Sequence, residues 1–156
     1  MTYAFAFYPR VGRLGDLGAI DIKYDVAVST AGGGSLDSII VDTPSTGKQC
    51  IEFLRQHNIG RCNFIALDKT TRFQAACDAR TNYPLGAPRL FDLIRVSDPS
   101  VRTAFYHVLQ DTLVATDMEQ APKVAYGAVR YRVVTLNGEL IEKVGTMSGG
   151  GRNKLR

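Results

Sequence analysis

The chain has no Cys-x-x-Cys pair, no phosphate-binding loop and no long apolar run, and each lack removes a class of function. Its 3 cysteines, Cys50, Cys62 and Cys77, are odd in number and have no metal-ligand spacing. That argues against a disulfide framework and for a reducing compartment. No stretch approaches the ~20 apolar residues of a membrane span, so a membrane partner is not expected. Residues 1–8 are rich in aromatics but carry neither a basic n-region nor a small-residue cleavage site. A secretory leader is therefore not expected.

Catalytic groups are also scarce. His57 and His107 fall in predicted helices with no cysteine or carboxylate at ligand spacing. Ser35, in Gly-Gly-Ser-Leu-Asp, lacks the second glycine of a nucleophile elbow. Asp16, Asp21 and Asp25 have no metal-binding loop around them. Residues 12–18 place glycines at the wrong spacing for a dinucleotide fingerprint. No catalytic residue, cofactor or metal site is expected.

What is present suits a folded domain. Hydrophobic residues make up 45% and charged residues 22% of 156 positions, enough apolar material for a sizeable core. The formal net charge is +4. Arg10 and Arg13 lie near one end, and Arg152, Lys154 and Arg156 crowd the other. Two readings stand: a nucleic-acid contact if the ends converge, or solvated charge that aids solubility.

Periodicity predicts an α/β order. Residues 24–30 suit a short helix and 38–41 a compact strand. A helix follows over 45–57, with Cys50, Phe53 and Leu54 on one face and Gly60 placed to follow its C-cap. Residues 63–67 read as a buried strand. Residues 69–88, with Pro84, Gly86 and Pro88, read as an exposed linker with at most a short helix. A strand over 93–96 precedes Asp98-Pro99, an N-cap and first-turn proline for a helix reaching Leu109. A strand over 112–115, a helix over 118–126 capped by Asp117, and a strand over 131–136 complete the order. Asn137-Gly138 predicts a type I′ turn, folding 139–144 back antiparallel.

The order repeats. Residues 39–43 and 112–116 occupy equivalent places, as do 64–68 and 133–137. This suggests two pseudo-symmetric subdomains, 1–80 and 81–151, with a basic tail over 152–156. Gly145, Gly149 and Gly150 follow a predicted edge strand. They read either as a flexible linker or as an edge prepared for a partner strand. In the second reading the opposing element is a strand equivalent to 63–67, through Asn63, Ile65 and Leu67.

Several segments together resemble a known family. They are Gly-Arg-Leu-Gly-Asp-Leu-Gly-Ala-Ile-Asp at 12–21, Lys-Tyr-Asp-Val-Ala-Val at 23–28 and Cys-Ile-Glu-Phe-Leu at 50–54. Phe-Ile-Ala-Leu-Asp-Lys at 64–69, Pro-Arg-Leu-Phe-Asp-Leu at 88–93 and Gly-Thr-Met-Ser-Gly-Gly-Gly at 145–151 continue the series. In this order they are similar to the hinge domain of SMC (structural maintenance of chromosomes) proteins, particularly of the condensin type. The resemblance spans about residues 11 to 151. It implies a mixed α/β hinge fold of two subdomains, each a small sheet packed with helices. It implies a dimerisation module that pairs with a different SMC hinge, of the condensin subunit-two type. It also implies DNA contact, often single-stranded, at chromosomes in the nucleus or, outside mitosis, in the cytoplasm. ATP hydrolysis would belong to ATPase heads whose signatures are absent from these 156 residues. A stand-alone nucleic-acid-binding module, or a small α/β enzyme built on His107 or Asp16, are the competing expectations.

If the terminal cations bind DNA, log affinity falls linearly with log salt. Replacing Arg152, Lys154 and Arg156 with serine should then flatten the single-strand slope by roughly 0.7 for each phosphate no longer neutralised. Fluorescence anisotropy across a salt series measures it, and an unchanged slope excludes the tail.

Overall fold

The computed structural model describes residues 12–151. These form two compact units, each assembled from non-contiguous segments. The first comprises 12–18, Gly34–Asp78 and Val96–Val108; the second comprises Ala19–Gly33, Ala79–Arg95 and 109–151. The units therefore do not divide the chain at a single point near residue 80.

In the first unit, β1 (Gly12–Arg13) runs antiparallel to β3 (Ile39–Val41), and β3 runs parallel to β4 (Phe64–Ala66). Parallel neighbours need a crossover, supplied by α2 (Pro44–Gln56). Thr43 caps it, its side chain accepting from the Thr46 N–H, and Pro44 begins the helix where no N–H is needed. The helix seals Cys50 and Leu54 against Ile39 and Val41, with Phe64 and Ala66 packed alongside. Its end is a Schellman motif. Ile59 N–H reaches the Leu54 carbonyl at 3.0 Å and Asn58 N–H reaches the Arg55 carbonyl at 3.3 Å. Asn58 takes the left-handed position at φ 51°, the place that sequence spacing assigns to Gly60.

The stretch 69–88 is mostly exposed, as read from the sequence, but holds more than one short helix. It carries the second half of α3 (Leu67–Thr70) and all of α4 (Gln74–Asp78), with Thr70, Cys77 and Ala87 buried. Thr70 and Thr103 share a buried hydroxyl hydrogen bond of 2.8 Å. Arg102 bonds Asp78 at 3.1 Å and the Cys77 carbonyl at 3.4 Å. These bonds hold α5 (Arg102–Leu109) in the first unit. The helical run lacks a clean apolar period because its contacts are polar and short.

In the second unit, β6 (Leu113–Ala115) is parallel to β7 (Val133–Thr135) across α6 (Ala121–Ala125). The antiparallel strands β8 (Leu140–Ile141) and β9 (Met147–Ser148) extend that sheet. The core joins Leu113, Ala115, Val133 and Ile141 to Ala121 and Val124. α1 (Asp25–Gly32) belongs here, and Arg132 holds it by donating to the Ala31 carbonyl at 2.9 Å. A separate ribbon pairs β2 (Gly18–Ala19) with β5 (Arg95–Val96). The β7–β8 hairpin forms, but not by a type I′ turn. That turn needs positive φ at both central residues, and only Gly138, at φ 90°, has it. A three-residue loop from Leu136 to Gly138 closes instead between Thr135 N–H and the Glu139 carbonyl, at 2.9 Å.

Each unit repeats one device. Arg13 forks onto Asp16, through Nε at 3.2 Å and Nη2 at 2.9 Å, and reaches Asp37 at 2.6 Å. Arg89 forks onto Asp92, at 3.1 and 2.8 Å, and reaches Asp111 at 3.1 Å. Leu14 N–H bonds the Ser38 carbonyl and Leu90 N–H bonds the Thr112 carbonyl, each at 2.9 Å. Both leucines are fully buried. Aligned through these staples, Ile39 corresponds to Leu113. Ile39 pairs with Phe64 and Leu113 with Val133, so the repeat read from sequence is one residue out of register for its first strand.

The two staples differ in burial. The Arg13 side chain is 43% exposed and the Arg89 side chain 1%. Burial pulls the Arg89 guanidinium pKa down, and the hydrogen bonds it donates to Asp92 and Asp111 more than reverse it, so the net shift is upward. The Arg13 hydrogen bond holds the Asp16 carboxyl below its ordinary pKa. Its stabilising effect is present above the usual carboxylate range and is lost as pH falls through the lowered value.

Replacing Asp92 and Asp111 together with alanine should cost about 3–5 kcal/mol, because a buried guanidinium loses both counter-charges. The matching pair, Asp16 and Asp37, should cost at most about 1 kcal/mol, since its cation stays solvated. Urea denaturation of both double variants measures the contrast, and equal losses would contradict it.

Candidate functional site

Among the described residues the two larger sheets have β1 and β6 at one end of their strand orders and β4 and β9 at the other. β4 is the last strand of the order β1-β3-β4, and β9 is the last of β6-β7-β8-β9. A terminal strand has one row of backbone groups turned away from its neighbour, which a further strand can pair.

Strand parity decides which residues present that row. Asn63 gives its carbonyl to Ile39 N–H at 2.8 Å, so residues 63 and 65 turn their backbone toward β3. Phe64 and Ala66 turn theirs outward. On β9, Glu142 N–H bonds the Thr146 carbonyl at 2.8 Å, so residues 146 and 148 face β8. Met147 and Gly149 face outward. The sequence pattern finds the β4 strand but selects the inward set, Asn63 and Ile65. Leu67 is not in the strand; it opens α3 and is buried. A three-residue strand running directly into a helix gives too little alternation to fix its parity.

The glycines have separate reasons. Gly145, at φ 100°, completes the turn between β8 and β9, donating to the Glu142 carbonyl at 2.9 Å. Gly150 has φ 88°. Gly149 lies where a Cβ would come 2.9 Å from Glu139 Cγ, the close approach expected of a directly opposed antiparallel pair. Glu139 is held there by Thr135, whose hydroxyl bonds its carboxylate and also accepts from Glu139 N–H at 3.1 Å.

Beside the β4 edge an apolar groove of about 490 Å³ runs between strand and helix. Val41, Gly47, Ile51, Phe64 and Ala66 line it, with Lys48, Glu52 and Arg55 among its charged residues. Ile51 is 46% exposed although it is apolar.

The basic cluster is only partly on view. Arg10, Arg152, Lys154 and Arg156 lie outside the described residues. Arg13 is matched by two carboxylates, Asp16 and Asp37. Asp16 lines a pocket of about 220 Å³, with its carboxylate committed to Arg13. His107 is exposed and stands beside Phe73, ring centroids 5.9 Å apart. His57 closes α2, its Nδ1 3.0 Å from the Phe53 carbonyl. Among the described residues no group of three or more His, Cys, Asp or Glu is placed to hold a metal ion. No described helix is long and apolar enough to cross a membrane.

The family model for the SMC proteins' flexible hinge domain matches residues 9–125. The chain belongs to the SMC hinge family. It is 51% identical over 146 residues to mouse "Structural maintenance of chromosomes protein 4", covering 93% of this chain and 11% of that protein. It is 53% identical over 140 residues to the Schizosaccharomyces pombe protein of the same name, covering 90% and 10%. The chain thus spans about a tenth of the length of these curated relatives. Among solved structures, it is similar to the Geobacillus stearothermophilus SMC hinge domain, with TM-score 0.78 and 30% identity. That match covers 98% of this chain and 64% of the other. A chain of the folded elbow of cohesin aligns with TM-score 0.83 at 27% identity, covering 96% of this chain and 22% of that one. The mixed α/β hinge fold expected from the sequence is the one found.

Because Gly145 and Gly150 sit at positive φ, alanine at either should cost about 1–2 kcal/mol in the isolated chain. Thermal denaturation of the single variants checks this. No loss would mean that the positive φ at these positions does not constrain the fold.

Proposed function

We propose that this chain is the association module of a condensin-type SMC subunit and pairs with the hinge of a different SMC protein, of the subunit-two type. The observation that carries the reading is that, among the described residues, β4 in one unit and β9 in the other each stand at an end of their sheet. Family membership supplies the context: the Geobacillus stearothermophilus relative was solved as an asymmetric dimer of hinge domains. A Caenorhabditis elegans relative, 35% identical over 144 residues, is named a chromosome condensation protein. In this reading β9 of each hinge lies antiparallel beside β4 of the other. Backbone hydrogen bonds supply affinity, and side chains beside them supply specificity.

The same proposal places the protein at chromosomes in the nucleus, with the terminal cations Arg10, Arg152, Lys154 and Arg156 contacting DNA. Arg13 takes no part, because its two aspartates already neutralise it.

The test mixes this chain with a purified subunit-two-type hinge and measures mass by light scattering. A 1:1 complex is expected, and its absence at tens of micromolar would overturn the reading. Ala66→Pro sharpens it. Ala66 has φ −87°, close to proline's range, and its N–H points outward, so the fold keeps its own ladder. This variant should melt within a few degrees of the parent yet bind roughly tenfold or more weakly.

A further inference from the structure

Of the chain's 5 asparagines, only Asn137 precedes a glycine. The fold uses Asn137-Gly138 to turn β7 into β8, and the pair also has chemistry of its own. An asparagine side chain carries an amide carbon, Cγ, that the next backbone nitrogen can reach by closing a small ring. If that nitrogen attacks Cγ, ammonia leaves and a cyclic imide remains. A side chain on the following residue obstructs the attack, whereas glycine has no Cβ to stand in the way. Asn137 is exposed, so water reaches both the amide and the imide.

The hairpin opposes the attack. Gly138 N–H donates to the Thr135 carbonyl at 3.0 Å, so the attacking nitrogen has its proton committed inside the loop. Gly138 sits at φ 90°, and Thr135 N–H meets the Glu139 carbonyl at 2.9 Å. Two more bonds fix the same turn. Leu136 N–H reaches the Ala115 carbonyl at 3.2 Å, and Glu139 N–H reaches Thr135 Oγ1 at 3.1 Å. Thr135 itself is fully buried. Swinging Gly138 N onto Cγ therefore breaks the bond to Thr135 and rotates a peptide plane that both strands hold. An open loop has neither restraint.

We propose that Asn137-Gly138 is a modification site at which the chain deamidates itself, with water as co-reactant, and that the β7–β8 hairpin controls the rate. A bond forms between Gly138 N and Asn137 Cγ, the Cγ–Nδ2 bond breaks, and Nδ2 departs as ammonia with the amide proton. Water then opens the imide at either carbonyl. One opening yields aspartate. The other yields isoaspartate, in which the main chain runs through the former side chain. Either product disturbs the loop that governed its formation. The new carboxylate lies near Glu139, whose own carboxylate accepts from the Thr135 hydroxyl, and like charges at short range repel. Isoaspartate also adds one backbone atom, about 1.5 Å of chain, to a loop whose ends meet between Thr135 and Glu139. Glu139 faces Gly149, where a Cβ would come 2.9 Å from Glu139 Cγ, so a displaced β8 loses its fit to the β9 segment. The change is one-way: a hairpin that has reacted closes less well.

The test follows the whole chain at mildly alkaline pH, folded and in urea sufficient to unfold it, by mass spectrometry of its proteolytic peptides. Replacement of the amide by a carboxyl raises the mass of the peptide carrying Asn137, and chromatography separates isoaspartate from aspartate. Deamidation at Asn137 should run roughly tenfold or more faster in urea, because a closed hairpin reacts only through its opening equilibrium. The other asparagines should lag behind it there. Thr135→Val removes the hydroxyl contacts to Glu139 and keeps the carbonyl that Gly138 uses. It should speed deamidation of the folded chain several-fold, with Tm read alongside, and the urea comparison decides the matter if the variant fails to fold. The isoaspartyl protein should melt several degrees below the parent. Equal rates in native buffer and urea, or an unchanged rate in folded Thr135→Val, would overturn control by the hairpin. An Asn137 peptide that stays unmodified in urea would overturn the site, and an isoaspartyl form that melts with the parent would overturn the effect on the loop.

Discussion

The structure rests on one arrangement of charge: a guanidinium forked onto the aspartate three residues ahead and tied to a second aspartate just before a buried strand. Arg89 performs this from full burial, where an unpaired cation would be intolerable. Its position forces 89–92 into a tight helical turn, brings Leu90 N–H onto the Thr112 carbonyl, and so fixes where β6 begins. Once β6 is placed, its parallel register with β7 follows, and β8 and β9 follow from β7. Arg13 does the same for β3 and β4 with weaker leverage, since water competes for its partners. The sheet edges are thus set by ion pairs at the far side of each sheet.

Much of this was legible in the residues. The helix over 44–56, the strands over 39–41, 113–115 and 133–135, and the Asp98-Pro99 start each have a local cause that tertiary contacts did not override. The repeated order was visible too. Its sharpest marker, Arg-Leu-x-Asp at 13–16 and again at 89–92, does not stand out in the sequence because the second aspartate lies more than twenty residues downstream. Spacing within a motif does not reveal a partner that only folding supplies. The helices of 67–78 escape pattern reading for a related reason: they are held by threonine and arginine hydrogen bonds, which leave no hydrophobic period.

At the candidate interface the sequence located β4 but not its parity, and it placed the edge strand at 139–144, whereas the sheet ends on β9 at Met147–Ser148. The glycines near the C-terminus look alike on paper and are not alike in space. Gly145 shapes a turn and Gly149 accommodates Glu139, both demands of the chain itself. Gly47, inside α2, has only ordinary contact distances around the place of a Cβ among the described residues. Composition cannot separate these cases, because the distinction depends on what a methyl group would touch.

The segmental make-up of the two units has a consequence for synthesis. When the ribosome has delivered residue 78, the first unit still lacks Val96–Val108, and with it Thr103 and Arg102. The second unit has meanwhile held Ala19–Gly33 for about eighty residues without the sheet it joins. Neither unit can mature by itself, so the nascent chain passes through no stable half-domain, and completion of both waits on the emergence of the later segments. On the proposed reading the β9 edge, Met147–Ser148, is among the last elements of the hinge to leave the ribosome, which shortens the time in which it could pair wrongly.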